Sequence, residues 1–340
     1  MLKLSIIVPV YNVEPYIRPC FESIFKQGLD ENDYEVIIVN DGSTDKSMEM
    51  IADIINQHNN ITVINQENQG LSVARNNGIE KANGEYILMP DSDDLLIENS
   101  LSFLLELALS SGADLVVADF LKIRNEDFNN FQIRTIKQEE IEITEKTGEE
   151  LFLEDLNPRE CYVWHTLFRK LFIITNNIRF FPNINYQDIP YIHECCLKAN
   201  KCIRTNLLLN IYREGRPGAA TESFNYKKAR DFCIAIAKTW ELNSHASQNE
   251  LYKLQDDVFT SFSSLLYFTS QINSFKERHQ IIRYLKQIAP NLVFTNSIKQ
   301  KTICFLYKRM PHALISLRVL QSRLIEDRLL PFYRQILAHF

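Results

Sequence analysis

The chain has 340 residues, of which 45% are hydrophobic and 24% are charged, as is usual for a globular protein of one or two domains. Its 9 glycines and 11 prolines are too few for a collagen-like or low-complexity protein. The net charge of −6 argues against nucleic acid as a partner.

Strands and helices are predicted to alternate over the first 120 residues. Short runs of apolar, mostly β-branched residues predict buried strands over 4–10, 34–40, 61–64, 85–89 and 114–118. Apolar residues three or four positions apart predict helices between them, over about 17–25, 48–55, 71–82 and 100–109. This alternation predicts an α/β fold, with a mostly parallel sheet that is flanked by helices.

The pattern changes after residue 120. Residues 121–150 are polar and charged, which predicts either an edge hairpin or an excursion loop. Beyond about Phe224 the apolar spacing predicts helices to the end of the sequence, with almost no Gly or Pro. We therefore expect an α/β region that ends near residue 220 and a C-terminal helical region.

The last 45 residues, 296–340, carry eight Lys or Arg residues against two acidic residues, with Leu, Ile and aromatic residues between them. A basic amphipathic helix of this kind can lie on an anionic membrane surface. The same pattern also fits a solvated face on helices that pack against the rest of the protein. The sequence leaves both interpretations open.

The expected cellular compartment follows from what the sequence lacks. Its seven cysteines are odd in number and form no Cys-x-x-Cys pair, which predicts reduced thiols packed in the core. There is no run of 18 apolar residues, and the first apolar stretch is too short for a signal peptide. We therefore expect a cytoplasmic protein.

Polar side chains follow each of the first four predicted strands. Parallel sheets bind ligands at the carboxyl ends of their strands, so these segments are the candidate site. The segments are 9–14, 40–45, 65–70 and 90–94. Neither Gly-x-Gly-x-x-Gly nor Gly-x₄-Gly-Lys occurs, which excludes a dinucleotide-dependent dehydrogenase and a P-loop NTPase.

Three acidic residues, Asp91, Asp93 and Asp94, lie within four positions after the fourth strand. Such carboxylates would repel a bare phosphate but suit a hard divalent cation, which can then bind a diphosphate. The alternative is a cluster that caps a helix N-terminus. Asp41 is placed to meet a base or a ribose, and Arg75 is expected to face outward toward a phosphate or the aspartates.

Four segments stand in the order and spacing of a known family: Ile6–Asn12, Val39–Asp45, Gly70–Gly78 and Asp91–Asp94. The chain resembles the family 2 glycosyltransferases with a GT-A fold that build bacterial capsular and other surface polysaccharides. The resemblance is dense over 1–119 and looser to about 221. It implies a Rossmann-like catalytic domain over 1–220, with a donor half (1–119) and an acceptor half (120–220), followed by a helical domain over 221–340.

The resemblance also implies the donor site. Pro9, Tyr11 and Glu14 would line the nucleoside pocket, with Asp41 on the uracil or ribose and Arg75 beside the nucleotide. Asp91 and Asp93 would form the Asp-x-Asp pair of the family. In that pair Asp93 would be the direct ligand of Mg²⁺ or Mn²⁺, and Asp91 would reach the ribose or the metal.

The second half of the sequence resembles the family less closely. Asp188 corresponds to the catalytic base of the family, but Gln187 stands where a Glu is usual. A neutral amide cannot raise the pKa of its neighbour by charge repulsion. Arg213 and Arg216 lie in a segment that resembles the family's Tyr-Arg-x-x-x-Gly loop, from which either could bind the diphosphate.

The function implied is the inverting transfer of a sugar from a nucleotide sugar, with UDP expected, to a hydroxyl of a glycan or a lipid-linked acceptor. The protein would act in the cytoplasm or on the inner face of the membrane. One alternative is a non-catalytic protein that binds nucleotide sugars, which Gln187 favours. The other is a nucleotidyltransferase, which the lack of a Gly-rich basic loop after the first strand disfavours.

Overall fold

The computed structural model of the chain describes residues 2–128, 131, 140–219, 224–311 and 313–318. These residues divide into two compact units. The first contains the described residues of 1–156, 161–183 and 187–222. The second contains those of 157–160, 184–186 and 223–340.

The first unit is built on one β-sheet. The strands that the described residues form are β1 Leu4–Val10, β2 Tyr34–Asn40, β3 Ile61–Asn65, β4 Tyr86–Leu88, β5 Leu95–Leu96, β6 Leu115–Arg124, β7 Ile143–Lys146, β8 Thr166–Arg169 and β9 Cys202–Glu214. Their order across the sheet is β3-β2-β1-β4-β8-β6-β9-β5, and β7 pairs with β9.

The N-terminal half of the sheet is parallel. Strand β1 pairs in register with β2, from Leu4 opposite Tyr34 to Val10 opposite Asn40, and its other edge pairs with β4. Strand β3 extends this parallel arrangement beyond β2. The carboxyl ends of β1, β2 and β4 therefore open on the same edge of the sheet, where the sequence predicts the site.

Helices flank this sheet. In the first unit they are α1 Ile17–Ile24, α2 Ala52–Gln57, α3 Leu71–Lys81, α4 Ser100–Ser111, α5 Gly148–Glu150, α6 Lys170–Thr175 and α7 Asp188–Lys198. Alternate residues of β1 and the inner face of α1 share one apolar cluster, which includes Ile6, Val8 and Phe21. On the other face α3 packs so closely that a Cβ at Gly78 would lie 2.2 Å from Cγ2 of Ile7.

The second unit is helical. Its helices are α8 Tyr226–Glu241, α9 Gln248–Gln271, α10 Phe275–Ile288 and α11 Ile298–Arg309, and residues 313–318 are also helical. The ring of Phe262 packs against those of Phe294 and Tyr307, with both centroid distances at 5.2 Å. Among the described residues, none of the helices has the length and apolarity needed to cross a bilayer.

The structure confirms the predicted fold class: a mixed α/β sheet with a parallel core, flanking helices and a C-terminal helical region. All seven cysteines are buried thiols. Residues 319–340 of the predicted basic end lie outside the described residues.

Over 121–150 the described residues include the end of β6 and strand β7. Strand β6 continues to Arg124, six residues beyond the predicted end at 118. Strand β7 pairs with β9, which lies far along the chain, so it forms no hairpin with β6. One edge of β6 pairs with β9 from Leu115 to Arg124, and the other pairs with β8 over Leu115–Val117. Residues 129–130 and 132–139 of the predicted excursion lie outside the described residues.

Candidate functional site

A cavity of about 370 Å³ opens at the carboxyl ends of the parallel strands. This volume is typical of small-molecule sites. The first strand and the segments that follow the second and fourth strands each contribute a predicted site residue to its lining. The predicted residues that line the cavity are Pro9, Tyr11, Asp41, Asp91, Asp93, Arg213 and Arg216. Tyr11 is 48% exposed, so its ring is accessible to a planar base.

Asp41 is buried at the end of β2 and holds the loop between β3 and α3 in place. Its carboxylate accepts hydrogen bonds from the backbone N–H groups of Gln69 and Gly70, both at 2.8 Å, and from Nε2 of Gln66 at 2.7 Å. A carboxylate offers about four acceptor positions. Asp41 therefore has about one position left for a ligand, and its main observed contacts fix the cavity wall that Gly70 forms.

Three carboxylates converge after β4. One oxygen of each of Asp91, Asp93 and Asp94 lies within 4.8 Å of the others, a spacing that can hold a metal ion. Oδ2 of Asp94 is buried without a hydrogen-bond partner. Burial and the neighbouring carboxylates raise the pKa of Asp94 well above its usual range, and burial raises that of Asp91. These groups fit a hard divalent cation, whose charge would offset both effects.

Arg75 is buried in helix α3 with only 2% of its surface exposed, so the prediction that it faces outward is wrong. Its Nη2 donates to Oδ1 of Asp91 at 2.6 Å, and its guanidinium lies over the ring of Phe180 at 5.4 Å. The close packing of α3 on β1 buries this side of the helix. The ion pair with Asp91 compensates the burial of the arginine charge.

Arg213 and Arg216 approach the acidic cluster from the end of β9. The backbone N–H of Arg213 donates to Oδ1 of Asp94 at 2.8 Å. The guanidinium of Arg213 lies 3.3 Å from the ring centroid of Phe128 and 4.9 Å from that of Tyr16, and burial lowers its pKa. Nε of Arg216 donates to Oδ2 of Asp93. The two arginines thus contact the cluster in different ways.

Asp188 begins helix α7 and does not line the cavity. Burial raises the pKa of its carboxyl to about 6, and the charge of Arg75 partly opposes this increase. The negative charge of Asp91 adds to it, so Asp188 lies within electrostatic range of the acidic cluster. Gln187 is buried and neutral, and the pKa of Asp188 is raised without the Glu that is usual beside it.

Glu14 is turned away from the cavity. Its carboxylate accepts the backbone N–H of Lys46 at 3.1 Å, and its own N–H donates to Asp45 at 2.9 Å. The structure therefore brings together seven of the predicted residues around one cavity, joins Arg75 to them through Asp91, and leaves Glu14 and Asp188 outside its lining.

Several residues at the site carry no role in the sequence analysis. Tyr16 and Phe128 hold the guanidinium of Arg213, and Tyr212 lines the cavity beside it. Tyr212 could have been identified because it immediately precedes Arg213 in the loop-like segment. Nothing local to Tyr16 or Phe128 signals its contact, because each lies far from Arg213 in the sequence.

Residues 5–173 match the family model described as glycosyl transferase family 2. The chain is 34% identical over 229 residues to the uncharacterized glycosyltransferase EpsJ of Bacillus subtilis, a match that covers 67% of this chain and 65% of EpsJ. It is 27% identical over 315 residues to the glycosyltransferase GlyG of Streptococcus pneumoniae serotype 4, covering 90% of this chain and 95% of GlyG.

The fold is also similar to that of a solved protein. The crystal structure of S. aureus TarS 1-349 in complex with UDP-GlcNAc superposes with a TM-score of 0.72 at 20% sequence identity. The superposition covers 95% of this chain and 92% of that one. At this identity the likeness concerns the fold, including the helical region that follows the sheet.

Proposed function

Because residues 5–173 of this chain belong to glycosyl transferase family 2, we propose that it moves a sugar from a nucleotide-sugar donor to a hydroxyl of a glycan or lipid-linked acceptor, with inversion at the anomeric carbon. The observation that carries this proposal is the cavity at the ends of three parallel strands, lined by an aromatic ring, acidic residues and arginines. The complex of TarS with UDP-GlcNAc supports a UDP-linked donor.

We assign donor binding to residues 1–119. Pro9 and Tyr11 would contact the base, and Asp41 would offer its remaining acceptor position to the uracil or the ribose. Asp93, with Asp91, would hold Mg²⁺ or Mn²⁺, and the acidic cluster fits such an ion by its spacing and its buried, unpartnered oxygen. When bound, the ion would neutralise charge on the leaving diphosphate.

We assign the base to Asp188, in the acceptor half over 120–220. A base must accept the proton of the attacking hydroxyl, and it does so best when its pKa lies near the working pH. Burial gives Asp188 a pKa of about 6, which suits this role better than an exposed carboxylate would. Arg213 and Arg216, which contact the acidic cluster, would stabilise the diphosphate.

We propose that the helical region over 221–340 attaches the protein to the inner face of the membrane through 296–340. On α11 the outer face carries Ile298, 85% exposed, and Phe305, 58% exposed, while Tyr307 on the opposite face is buried. Lys299 and Lys301 are also exposed and border these apolar side chains. Apolar side chains flanked by cations are typical of helices that lie on anionic lipid.

A flotation assay with the full chain tests this attachment. The protein should float with vesicles that contain anionic lipid and stay behind with neutral vesicles. The double substitution Lys299→Glu and Lys301→Glu should reduce flotation, because it reverses two charges at the surface. As a control, reversing two exposed positive charges in the first unit should leave flotation unchanged. Equal flotation with both vesicle types would contradict the proposal.

The transfer reaction is tested by incubating the protein with Mn²⁺ and a panel of nucleotide sugars. Release of the nucleoside diphosphate, whether by transfer or by slow hydrolysis, separates an enzyme from a protein that only binds nucleotide sugars. Binding without release from every donor would favour the non-catalytic alternative. The configuration of the released sugar, followed by NMR, tests inversion.

A further inference from the structure

Each of the three carboxylates after β4 is paired with a different arginine of the first unit. The donor is a side-chain nitrogen in two of the pairs and a backbone N–H in the other. The pairs are Arg75 with Asp91, Arg213 with Asp94, and Arg216 with Asp93. These three arginines differ in how firmly they are held, and that difference has a functional consequence.

Two of the arginines are fixed by their surroundings. Arg75 is 2% exposed within helix α3 and packs over Phe180. Arg213 belongs to β9, and its guanidinium lies between the rings of Tyr16 and Phe128. Moving either side chain would require repacking of the buried surroundings, which costs free energy.

Arg216 also lies over the ring of Tyr16, at 5.2 Å from its centroid, but it belongs to the loop after β9 rather than to a helix or strand. Gly215 and Gly218 flank it with φ of +74° and +76°, and no atom of the described residues lies within 4 Å of where a Cβ on either glycine would be. The loop therefore contains two residues whose backbone can adopt conformations that other residues rarely reach. Arg216 also lines the cavity together with Asp93, so its guanidinium can reach both the carboxylate and the cavity.

We propose that Arg216 is exchanged between two anionic partners. It pairs with Asp93 until a divalent cation takes over that carboxylate, and the released guanidinium then binds the diphosphate of the donor. A guanidinium presents a planar fork of donors that matches phosphate oxygens, so it suits the second partner as well as the first. The inference rests on the proposed function, since it presumes a cation at Asp93 and a nucleoside diphosphate in the cavity.

The exchange makes the cation and the donor bind cooperatively. Arg216 competes with the cation for Asp93, so the cation binds more weakly to the protein alone than to the protein with donor. Linkage requires the same factor to raise donor affinity when the cation is bound. Removing the arginine should therefore tighten cation binding alone and weaken donor binding in the presence of the cation.

The test uses Mn²⁺ and UDP as probes and the full chain as the protein. Free Mn²⁺ is followed by its electron paramagnetic resonance signal, and UDP binding is followed by calorimetry. Arg216→Gln should bind Mn²⁺ alone about tenfold more tightly, and should bind UDP in saturating Mn²⁺ about tenfold more weakly, as the loss of one charge-assisted hydrogen bond implies. UDP binding without Mn²⁺ should stay unchanged.

Two further variants separate the exchange from a general loss of charge. Arg124→Gln removes one positive charge from an exposed side chain that pairs with Glu126 and Asp127, and should leave both affinities at the wild-type values. Arg216→Lys keeps the charge beside Asp93 and should bind Mn²⁺ with near wild-type affinity, which also guards against a folding defect in the glutamine variant.

The outcomes distinguish the exchange from the function on which it rests. If the wild-type protein binds Mn²⁺ and UDP but Arg216→Gln binds Mn²⁺ alone no more tightly, the exchange is wrong and the donor site stands. An equal tightening in Arg124→Gln would also overturn the exchange, because it would reduce the effect to net charge. If the wild-type protein binds neither probe, the proposed function fails first.

Discussion

Replacing Asp188 by asparagine is expected to make the protein inactive and more stable at the same time. Asparagine keeps the size of the side chain and an oxygen that can accept the N–H of Ile189, the contact that Asp188 makes at 3.1 Å. It removes the proton acceptor, so transfer should fall by about 10² to 10⁴. Nucleotide affinity should change little, since Asp188 does not line the cavity.

The gain in stability follows from the pKa. Burial raises the pKa of Asp188 from 3.8 to about 6, so the folded protein binds more protons than the unfolded chain between these values. The free energy of unfolding of the wild type therefore falls as the pH rises from about 4 to about 6. Above that window the ionised carboxylate lowers it by about 3 kcal/mol, at about 1.4 kcal/mol for each pKa unit.

Urea unfolding of both proteins at several pH values measures this difference. Asp188→Asn should be more stable by up to about 3 kcal/mol at pH 7.5, and the two proteins should converge near pH 4. Asp53→Asn is the matched control with the opposite sign, because Arg18 lowers the pKa of Asp53 to about 2 and its removal should cost stability at neutral pH. A variant that is no more stable than wild type at pH 7.5, or that still transfers sugar, would refute the reasoning.

Three further predictions concern other parts of the site. Gly78→Ala places a Cβ against Ile7 and should lower the free energy of unfolding by about 1–3 kcal/mol in urea; an unchanged midpoint would contradict the close packing of α3. Asp41→Asn replaces one acceptor oxygen by an NH₂ group that cannot accept the N–H donors of the β3–α3 loop. Calorimetry should therefore show UDP affinity about tenfold weaker. An unchanged affinity would remove Asp41 from the donor site. The kcat/KM for transfer should rise with pH and level off above about pH 6, as the carboxyl of Asp188 loses its proton. A kcat/KM that stays constant from about pH 5 to 8 would contradict Asp188 as the base.

The parallel half of the sheet could be predicted because its strands are buried on both faces. All seven residues of β1 are buried, and strands of this kind appear in the sequence as continuous apolar runs. Strand β9 could not be predicted in the same way. Its buried and partly exposed residues alternate, and it includes polar residues such as Asn210, which is fully buried.

The site could be predicted in position but not in its pairings. The carboxyl ends of the strands indicated where the acidic and aromatic side chains would meet. The burial of Arg75 could not be predicted, since it depends on how closely α3 packs on the sheet. The pairing of Arg216 with Asp93 joins residues 123 positions apart, and no local sequence pattern predicts such a contact.

Calorimetric titration with UDP tests most directly whether the cavity and its acidic cluster form a donor site that uses a divalent cation. In the presence of Mn²⁺ the wild-type protein should bind UDP, and both EDTA and the substitution Asp93→Ala should abolish or strongly weaken the binding. The thermal unfolding of Asp93→Ala without ligand serves as the check that the variant is folded. UDP binding of equal strength in EDTA, or to Asp93→Ala, would contradict the assignment.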